Sequence, residues 1–356
     1  MPRPLVIVIG AGVVGLSVAH RILSNDSSVG VAVVAAELPS DPAALHTPDY
    51  ASMWAGAHHR PLAGATAQLK QEATFALETA AVMKRLAREV PESGVQVTPA
   101  TVYLEQPTEA DTRLPAGVPY VWQDDGFRVI PRDELPCGVA WGCEYQTYCV
   151  NPHIYCRWLL GQIQRMGARV VKHSLNSVRE AFELPLDLGR DRPSVVVNCS
   201  GRGIDADPKV AIVRGQTVLV RQQHHKTVTR HRADGSWAFL IPRPASGGTV
   251  VGGTKEPDDW EAGPRTETQQ RLLETAATLF PDFVSDPSTF EVIGVNVGRR
   301  PWREGGMRIE PEGLGAGRYI VHGYGAGGRG YELSWGVAAK IAAIVEECTQ
   351  RPRASL

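Results

Sequence analysis

The stretch that most constrains this chain lies almost at its start. In "LVIVIGAGVVGLSVAHRIL", residues 5–23, an apolar run stops at Gly10, and Gly12 and Gly15 follow as a helical pattern begins. The Leu/Val/Ile run reads as a fully buried strand over 5–9, and residues 13–23 read as a helix. In the spacing G-x-G-x-x-G, Gly10 permits a tight turn and Gly12 lets backbone N–H groups approach phosphate. Gly15 lets helix and strand pack closely. Ala11, Val13 and Val14 complete the loop, and the helix N-terminus directs roughly half a positive charge at an anion there. The next strand is expected over 29–37, ending on Glu37, where a carboxylate accepts the ribose hydroxyls of an adenosine and repels a 2′-phosphate. This is the pattern of a dinucleotide cradle. It does not say which dinucleotide, and the bland alternative is a glycine turn that only lets a strand meet a helix.

With 356 residues, 43% hydrophobic and 21% charged, the chain has the composition of a globular protein with room for two domains. The formal net charge is −1 and no long basic run occurs, so nucleic acid is not expected as a partner. No apolar stretch approaches the roughly 20 residues that span a bilayer, and no membrane partner is expected. The N-terminal apolar run passes into a glycine turn without a small-residue cleavage site, unlike a secretory signal. An intracellular setting is the expectation. None of the six cysteines forms a C-x-x-C pair, so no metal site is expected. The spacing of Cys137, Cys143, Cys149 and Cys156 allows a disulfide, which a reducing compartment disfavours.

Further along, residues 66–90 read as a long amphipathic helix, and a proline-dotted middle runs to about residue 140. Residues 152–173 read as a helix closed by Gly167 and then a strand, and 193–203 as a buried strand entering a glycine turn. Short strands separated by turn signals over 211–255 suggest an antiparallel sheet, followed by a helix. Residues 318–348 read as strand, glycine turn and terminal helix. An α/β fold with an interrupted, doubly wound, Rossmann-like layer accounts for this order. The expected division is 1–65, 138–205 and 290–356 for the cofactor-binding domain, with 66–137 and 206–289 forming an interleaved antiparallel-sheet substrate domain.

The C-terminal turn narrows the cofactor. Residues 320–338, "IVHGYGAGGRGYELSWGVA", contain Ile320, Val321, His322, Gly323, Tyr324, Gly325, Gly327, Gly328, Gly330, Gly336 and Ala338. In this pattern the chain resembles the D-amino-acid oxidase family, which includes D-aspartate oxidase; Gly323 departs mildly from it. "WAGAHHRP", "YCVNPHIYCRWLL", "VVVNCSGRG", "VRGQTVLV", "FLIPRP", "VVGGT" and "NVGRRPWR" extend the resemblance across nearly the whole chain. It implies FAD held non-covalently in a glutathione-reductase-like domain. The flavin-side loop would bring Ser52, Met53, Trp54, Gly56 and Ala57, and the middle of the layer Val171, Cys199, Ser200 and Gly201. The C-terminal part would bring Arg300, Gly325, Gly327, Gly328, Arg329, Gly330, Tyr331 and Glu332. A helix N-terminus at this turn can stabilise negative charge on a reduced flavin ring.

The reaction the resemblance implies is hydride transfer from the Cα of a D-amino acid to flavin N5. A 2-oxo acid and ammonia follow, and molecular oxygen becomes hydrogen peroxide. No side chain needs to act as base, so the implied residues position the substrate. Arg300, rather than its neighbour Arg299, matches the arginine that grips the α-carboxylate, a task suited to a planar fork. The carbonyl of Gly328 would accept the substrate amine. Phe239 stands where most relatives have Tyr. Lys255, Arg232 and His58 fall at positions close to substrate or lid, and three or four cations around one site favour a dicarboxylate. Lys255 and Arg232 could equally be solvated and select nothing. Arg329 and Glu332 are spaced to pair with each other at i, i+3. A homo-oligomer is compatible with the resemblance. Other readings left open are a neutral or broad D-amino-acid preference, a glycine- or sarcosine-oxidase-like enzyme, and a catalytically silent dinucleotide-binding sensor. The terminal Ala-Ser-Leu lacks the central basic residue of a peroxisomal tripeptide.

Overall fold

The computed structural model of the chain describes residues 4–42, 47–60, 66–112, 126–185 and 193–350. The chain forms two compact units, one of residues 1–53, 153–213 and 299–356, the other of 54–152 and 214–298.

The first unit is built on a six-stranded sheet. Its strands, numbered through the chain, are β1 (Leu5–Ile9), β2 (Gly30–Ala35), β6 (Arg169–Lys172), β7 (Val195–Asn198), β14 (Pro311–Gly315) and β15 (Arg318–His322). The order is β14-β15-β7-β1-β2-β6, parallel throughout except that β14 runs antiparallel to β15. Every residue of β1 and β7 is buried. A parallel strand covered on both faces is apolar along most of its length, which is why β1 is all Leu, Val and Ile and β7 is Val195–Val197 before Asn198. One face packs Ile7, Ile9, Ala32, Val34, Val196 and Ile320 against Val178, Ala181 and Phe182. The helices α1 (Val13–Asn25) and α5 (Gly330–Gln350) follow β1 and β15 in the chain. Strand β2 is shorter than expected. It stops at Ala35, and Glu37 lies two residues beyond its end.

The second unit carries the antiparallel part. Its nine-stranded sheet contains β3 (Val95–Leu104), β4 (Arg128–Val129), β5 (Trp141–Val150), β8 (Val210–Val220), β9 (Thr227–His231), β10 (Trp237–Pro242), β11 (Thr249–Gly252), β12 (Glu256–Pro257) and β13 (Val292–Arg303). Helix α2 (Ala67–Glu89) starts where expected because the Thr66 hydroxyl accepts the Leu69 N–H, a side-chain cap. Helix α4 (Thr266–Leu279) lays Leu272, Leu273, Ala276 and Ala277 on Val218, Val220, Val228, Ala238, Leu240 and Val251.

Four boundaries depart from expectation: residues 206–213, expected with the antiparallel sheet, lie in the first unit, and 290–298, expected in the first, lie in the second. Residues 141–150, expected in the first domain, pair along their whole length with β3 and so belong to the second sheet. Residues 54–58, also expected in the first, lie with the second unit, where His58 bridges to Cys149. Strand β3 itself falls in the proline-dotted middle. Pro99 is tolerated because it precedes the stretch Ala100–Leu104 that pairs with β9, so its missing N–H costs no bond to that neighbour. Helix α3 (Pro152–Arg165) ends before Gly167, which adopts φ 94°.

Candidate active site

In the first unit the glycine pattern closes as expected. Gly10 has φ +100°, and a Cβ there would lie 2.4 Å from the carbonyl oxygen of Cys199. A Cβ on Gly15 would lie 2.0 Å from the carbonyl oxygen of Gly10. Both glycines are therefore required by backbone crossing backbone. Gly12 caps α1 without a side-chain bond of its own, while the Val13 N–H donates to Ser52 Oγ at 3.1 Å. Helix α1 thus offers its first turn, with Ala11, Val13 and Val14, to an anion, and the Ser52 hydroxyl already stands at the place. Met53 is fully buried, and its carbonyl is the partner of His153 Nε2 at 3.1 Å.

Tyr50 was not visible as a site residue. Its hydroxyl donates to the Ala11 carbonyl at 2.5 Å and clamps the loop from 39 residues away. Burial pushes its pKa well above the ordinary value, with Cys156 and Glu37 adding to the effect, so it stays a donor. Val171 in β6 pairs with Val34 of β2. At the end of β7, Asn198 Oδ1 accepts from the Ser200 hydroxyl at 2.6 Å, and Cys199 donates its N–H to Ile9. Burial raises the Cys199 thiol to about 12, so it is packing, not a nucleophile.

The C-terminal turn is zipped along the end of β13. The Gly327 N–H donates to the Pro301 carbonyl at 2.7 Å, Ala326 bridges Trp302, and the Gly325 N–H donates to the Gly201 carbonyl. This register places Gly328 beside Arg300, whose Cδ would be 3.4 Å from a Cβ on the glycine. Arg299, one residue away on a strand, points elsewhere and pairs with Asp49 at 3.0 Å. The two adjacent arginines are thereby distinguished. Arg329 and Glu332 pair with each other at 2.7 Å. Tyr331 donates to the Ser52 carbonyl at 3.0 Å, and a Cβ on Gly330 would sit 3.4 Å from Val13, so the two helix N-termini lie close together.

A half-buried charge network supports this turn. Asp207 accepts from Arg303 Nε at 2.8 Å, Tyr324 Oη at 2.8 Å and the Lys209 N–H at 3.0 Å. Burial raises its pKa, but these donors outweigh burial and hold it at about 2, against an ordinary 3.8. A carboxyl depressed in the fold contributes stability above its unfolded pKa and loses it as pH falls toward the folded one. The contribution is about 2 kcal/mol. Asp207→Asn is expected to remove it. Between pH 5 and pH 3 the urea midpoint of the wild type should fall more steeply than that of D207N, and parallel slopes would exclude the role.

In the second unit, strand alternation and register put Thr227, Thr229 and His231 of β9 on one face with Trp237 and Phe239 of β10. This face is opposite the one that α4 covers. Phe239 lies flat over glycine, and a Cβ on Gly252 would be 2.1 Å from its ring. His58 Nδ1 is 2.9 Å from the Thr227 hydroxyl. Lys255 Nζ lies 6.0 Å from the Trp237 ring centroid. Ala57 has φ 56°, Gly56 packs on Ile241, and Trp54 packs on Gly298. Arg232 differs. It sits in the β9–β10 turn, ion-paired with Asp234 at 3.2 Å. Among the described residues no group of three or more His, Cys, Asp or Glu is placed to hold a metal ion. No helix of these residues is long and apolar enough to cross a membrane.

The profile of the FAD dependent oxidoreductase family matches residues 6–344. A D-aspartate oxidase of Talaromyces thermophilus is 49% identical over 96% of this chain and 95% of its own length. A D-amino-acid oxidase of Fusarium vanettenii is 31% identical over 99% of both. The crystal structure of glycine oxidase from Geobacillus kaustophilus, only 19% identical, superposes with a TM-score of 0.73 over 96% of this chain and 94% of that one, and shares the fold. The chain belongs to the D-amino-acid oxidase family of FAD-dependent oxidoreductases.

Proposed function

We propose that the chain oxidises D-amino acids, with a preference for the acidic ones, D-aspartate and D-glutamate. The observation that carries this reading is the placement of Gly328 beside Arg300, fixed by the zipped turn. The arginine fork binds the α-carboxylate and the Gly328 carbonyl accepts a hydrogen bond from the α-amine, so one rigid element holds both groups on the substrate Cα.

The first unit binds FAD. The residues present fit the group, because Gly10, Gly12 and Gly15 leave a cradle without Cβ atoms and α1 presents its N-terminus there. Glu37 would receive the ribose, and the N-terminus of α5 would stabilise negative charge on the reduced group. When bound, FAD would supply the hydride-accepting and oxygen-reducing chemistry, with hydrogen peroxide as the product. Phe239 supplies an apolar wall, and His58, oriented by Thr227, borders it. Peroxide release suits a peroxisomal setting; the terminal tripeptide lies outside the described residues.

Oxygen uptake with D-Asp, D-Glu, D-Ala and D-Phe and their L-forms tests the reading. Faster turnover of D-Asp or D-Glu is the expected result, and no turnover of any D-form would overturn it. Lys255, which is exposed, makes a modest contribution. Lys255→Ala should lower the D-Asp to D-Ala preference by about fivefold. Arg232→Ala should change it less, because Asp234 already holds that guanidinium.

A further inference from the structure

A single oxygen of Asp207, in the loop that follows β7, joins the two segments that carry Arg300 and Gly328. Its Oδ2 accepts from Nε of Arg303 at 2.8 Å and from the hydroxyl of Tyr324 at 2.8 Å. Arg303 ends β13 three residues beyond Arg300, and Tyr324 stands four residues before Gly328. All five residues belong to the first unit. The other oxygen, Oδ1, accepts the Lys209 N–H at 3.0 Å. The Lys209 carbonyl in turn accepts the Glu304 N–H at 2.9 Å, so the loop is tied to the chain just past β13 as well. Tyr324 is buried, and Arg308 holds it from another side. The Arg308 N–H donates to the Tyr324 carbonyl at 3.0 Å and its Nη1 to the phenol oxygen at 3.4 Å. These donors hold the Asp207 carboxyl at about 2, so it is ionised near neutral pH, and bonds to an ionised acceptor are the stronger kind.

Successive side chains of a strand leave on opposite faces, so Arg303 reaches Asp207 from the side of β13 that Arg300 does not use. The glycine turn follows the strand closely. A Cβ on Gly325 would lie 2.6 Å from Cβ of Arg303, and one on Gly328 would lie 3.4 Å from Cδ of Arg300. The bond from the Gly327 N–H to the Pro301 carbonyl sets the register between the segments, and Asp207 pins them together beyond it, at Arg303 and Tyr324. We propose that Asp207 is a positioning residue for the reaction: by holding Arg303 and Tyr324 on one oxygen, it sets the separation between the Arg300 guanidinium and the Gly328 carbonyl. That separation must match the α-carboxylate and α-amine of one substrate, and a misplacement of about 1 Å can cost on the order of 100-fold in rate. The inference deepens the reading of Arg300 and Gly328 as a clamp and rests on it.

The test uses the FAD-loaded protein and its D207A, D207N and Y324F variants, with R300A for comparison. Kinetic constants per bound flavin are measured on D-aspartate and D-alanine, together with the inhibition constants of succinate and propionate, which are those two substrates without the amine. A carboxylate alone needs only the arginine fork, whereas the substrate needs fork and carbonyl at one separation. On the substrate that the wild type turns over faster, D207A should lower kcat/KM at least about 30-fold and D207N about tenfold. Y324F should lower it about fivefold, because Arg303 keeps its partner. The matching inhibition constant should stay within about threefold of the wild type in all three, a split that mere loss of stability would not give. R300A should weaken both. If the three variants keep kcat/KM within about threefold while R300A loses it, the role of Asp207 is overturned and the clamp stands. A rise in the inhibition constant equal to the loss in kcat/KM also overturns it, because Asp207 would then support the fork and not the spacing. If R300A changes neither, the clamp and this inference fall together. Should D207A fail to retain flavin absorbance, D207N and Y324F decide.

Discussion

Arg300→Ala is expected to lower kcat/KM for D-aspartate by about 30- to 3,000-fold while the flavin absorbance of the purified protein is retained. The range follows from the roughly 2–5 kcal/mol lost when one partner of a buried, hydrogen-bonded charge pair is removed, at 1.4 kcal/mol per tenfold. The loss should apply to D-alanine as well, because both substrates carry an α-carboxylate. That sets Arg300 apart from Lys255, whose removal changes the ratio between substrates. Arg299→Ala is the control. Its guanidinium is engaged with Asp49, so its loss should affect stability more than turnover. Steady-state kinetics on both substrates decide the matter, and an Arg300→Ala enzyme within threefold of the wild type would remove the proposed clamp.

The second large effect is structural. Gly10→Ala places a side chain at φ +100° with its Cβ 2.4 Å from the Cys199 carbonyl oxygen, and neither neighbour is a flexible side chain that can move aside. Left-handed strain of about 1–3 kcal/mol adds to an overpacking cost of about 1–3 kcal/mol, a large share of the 5–15 kcal/mol that holds a typical domain together. The variant should purify colourless or aggregate. A yellow protein with an unchanged melting temperature would show that the loop tolerates a Cβ and that Gly10 does not need its close approach to Cys199.

How much of this could be read beforehand depends on the distance over which each feature is encoded. The β1–α1 turn was legible because three glycines at fixed offsets between a buried strand and a helix leave few foldings. Helix α2 was legible from its apolar period and its Thr66 cap, and the C-terminal turn from its glycines. Strand β3 was hidden by Pro99, whose tolerance depends on where the neighbouring strand begins. Strand β5 was given to the wrong domain because its membership is settled by ten register partners on β3, not by its own residues. The end of β2 was overrun by two residues, since an apolar run carries no mark of its last ladder bond.

The side chains divide in the same way. Arg300 and Gly328 could be named from motif, but only the register of the turn against β13 puts them side by side and sends Arg299 to Asp49. Tyr50, 39 residues from the loop it holds, and Asp207, 117 residues from Tyr324, had no local signal. Arg232 and Lys255 looked alike as basic residues near a hairpin, and only the fold shows one paired with Asp234 and the other over Trp237. The sequence by itself determined the parallel layer, the dinucleotide cradle and the family, because backbone constraints on glycine and the periodicity of apolar residues are local and survive in the linear text. The tertiary structure alone decided where each cation lies and what holds it, because strand register brings residues far apart in the chain within a hydrogen bond of each other.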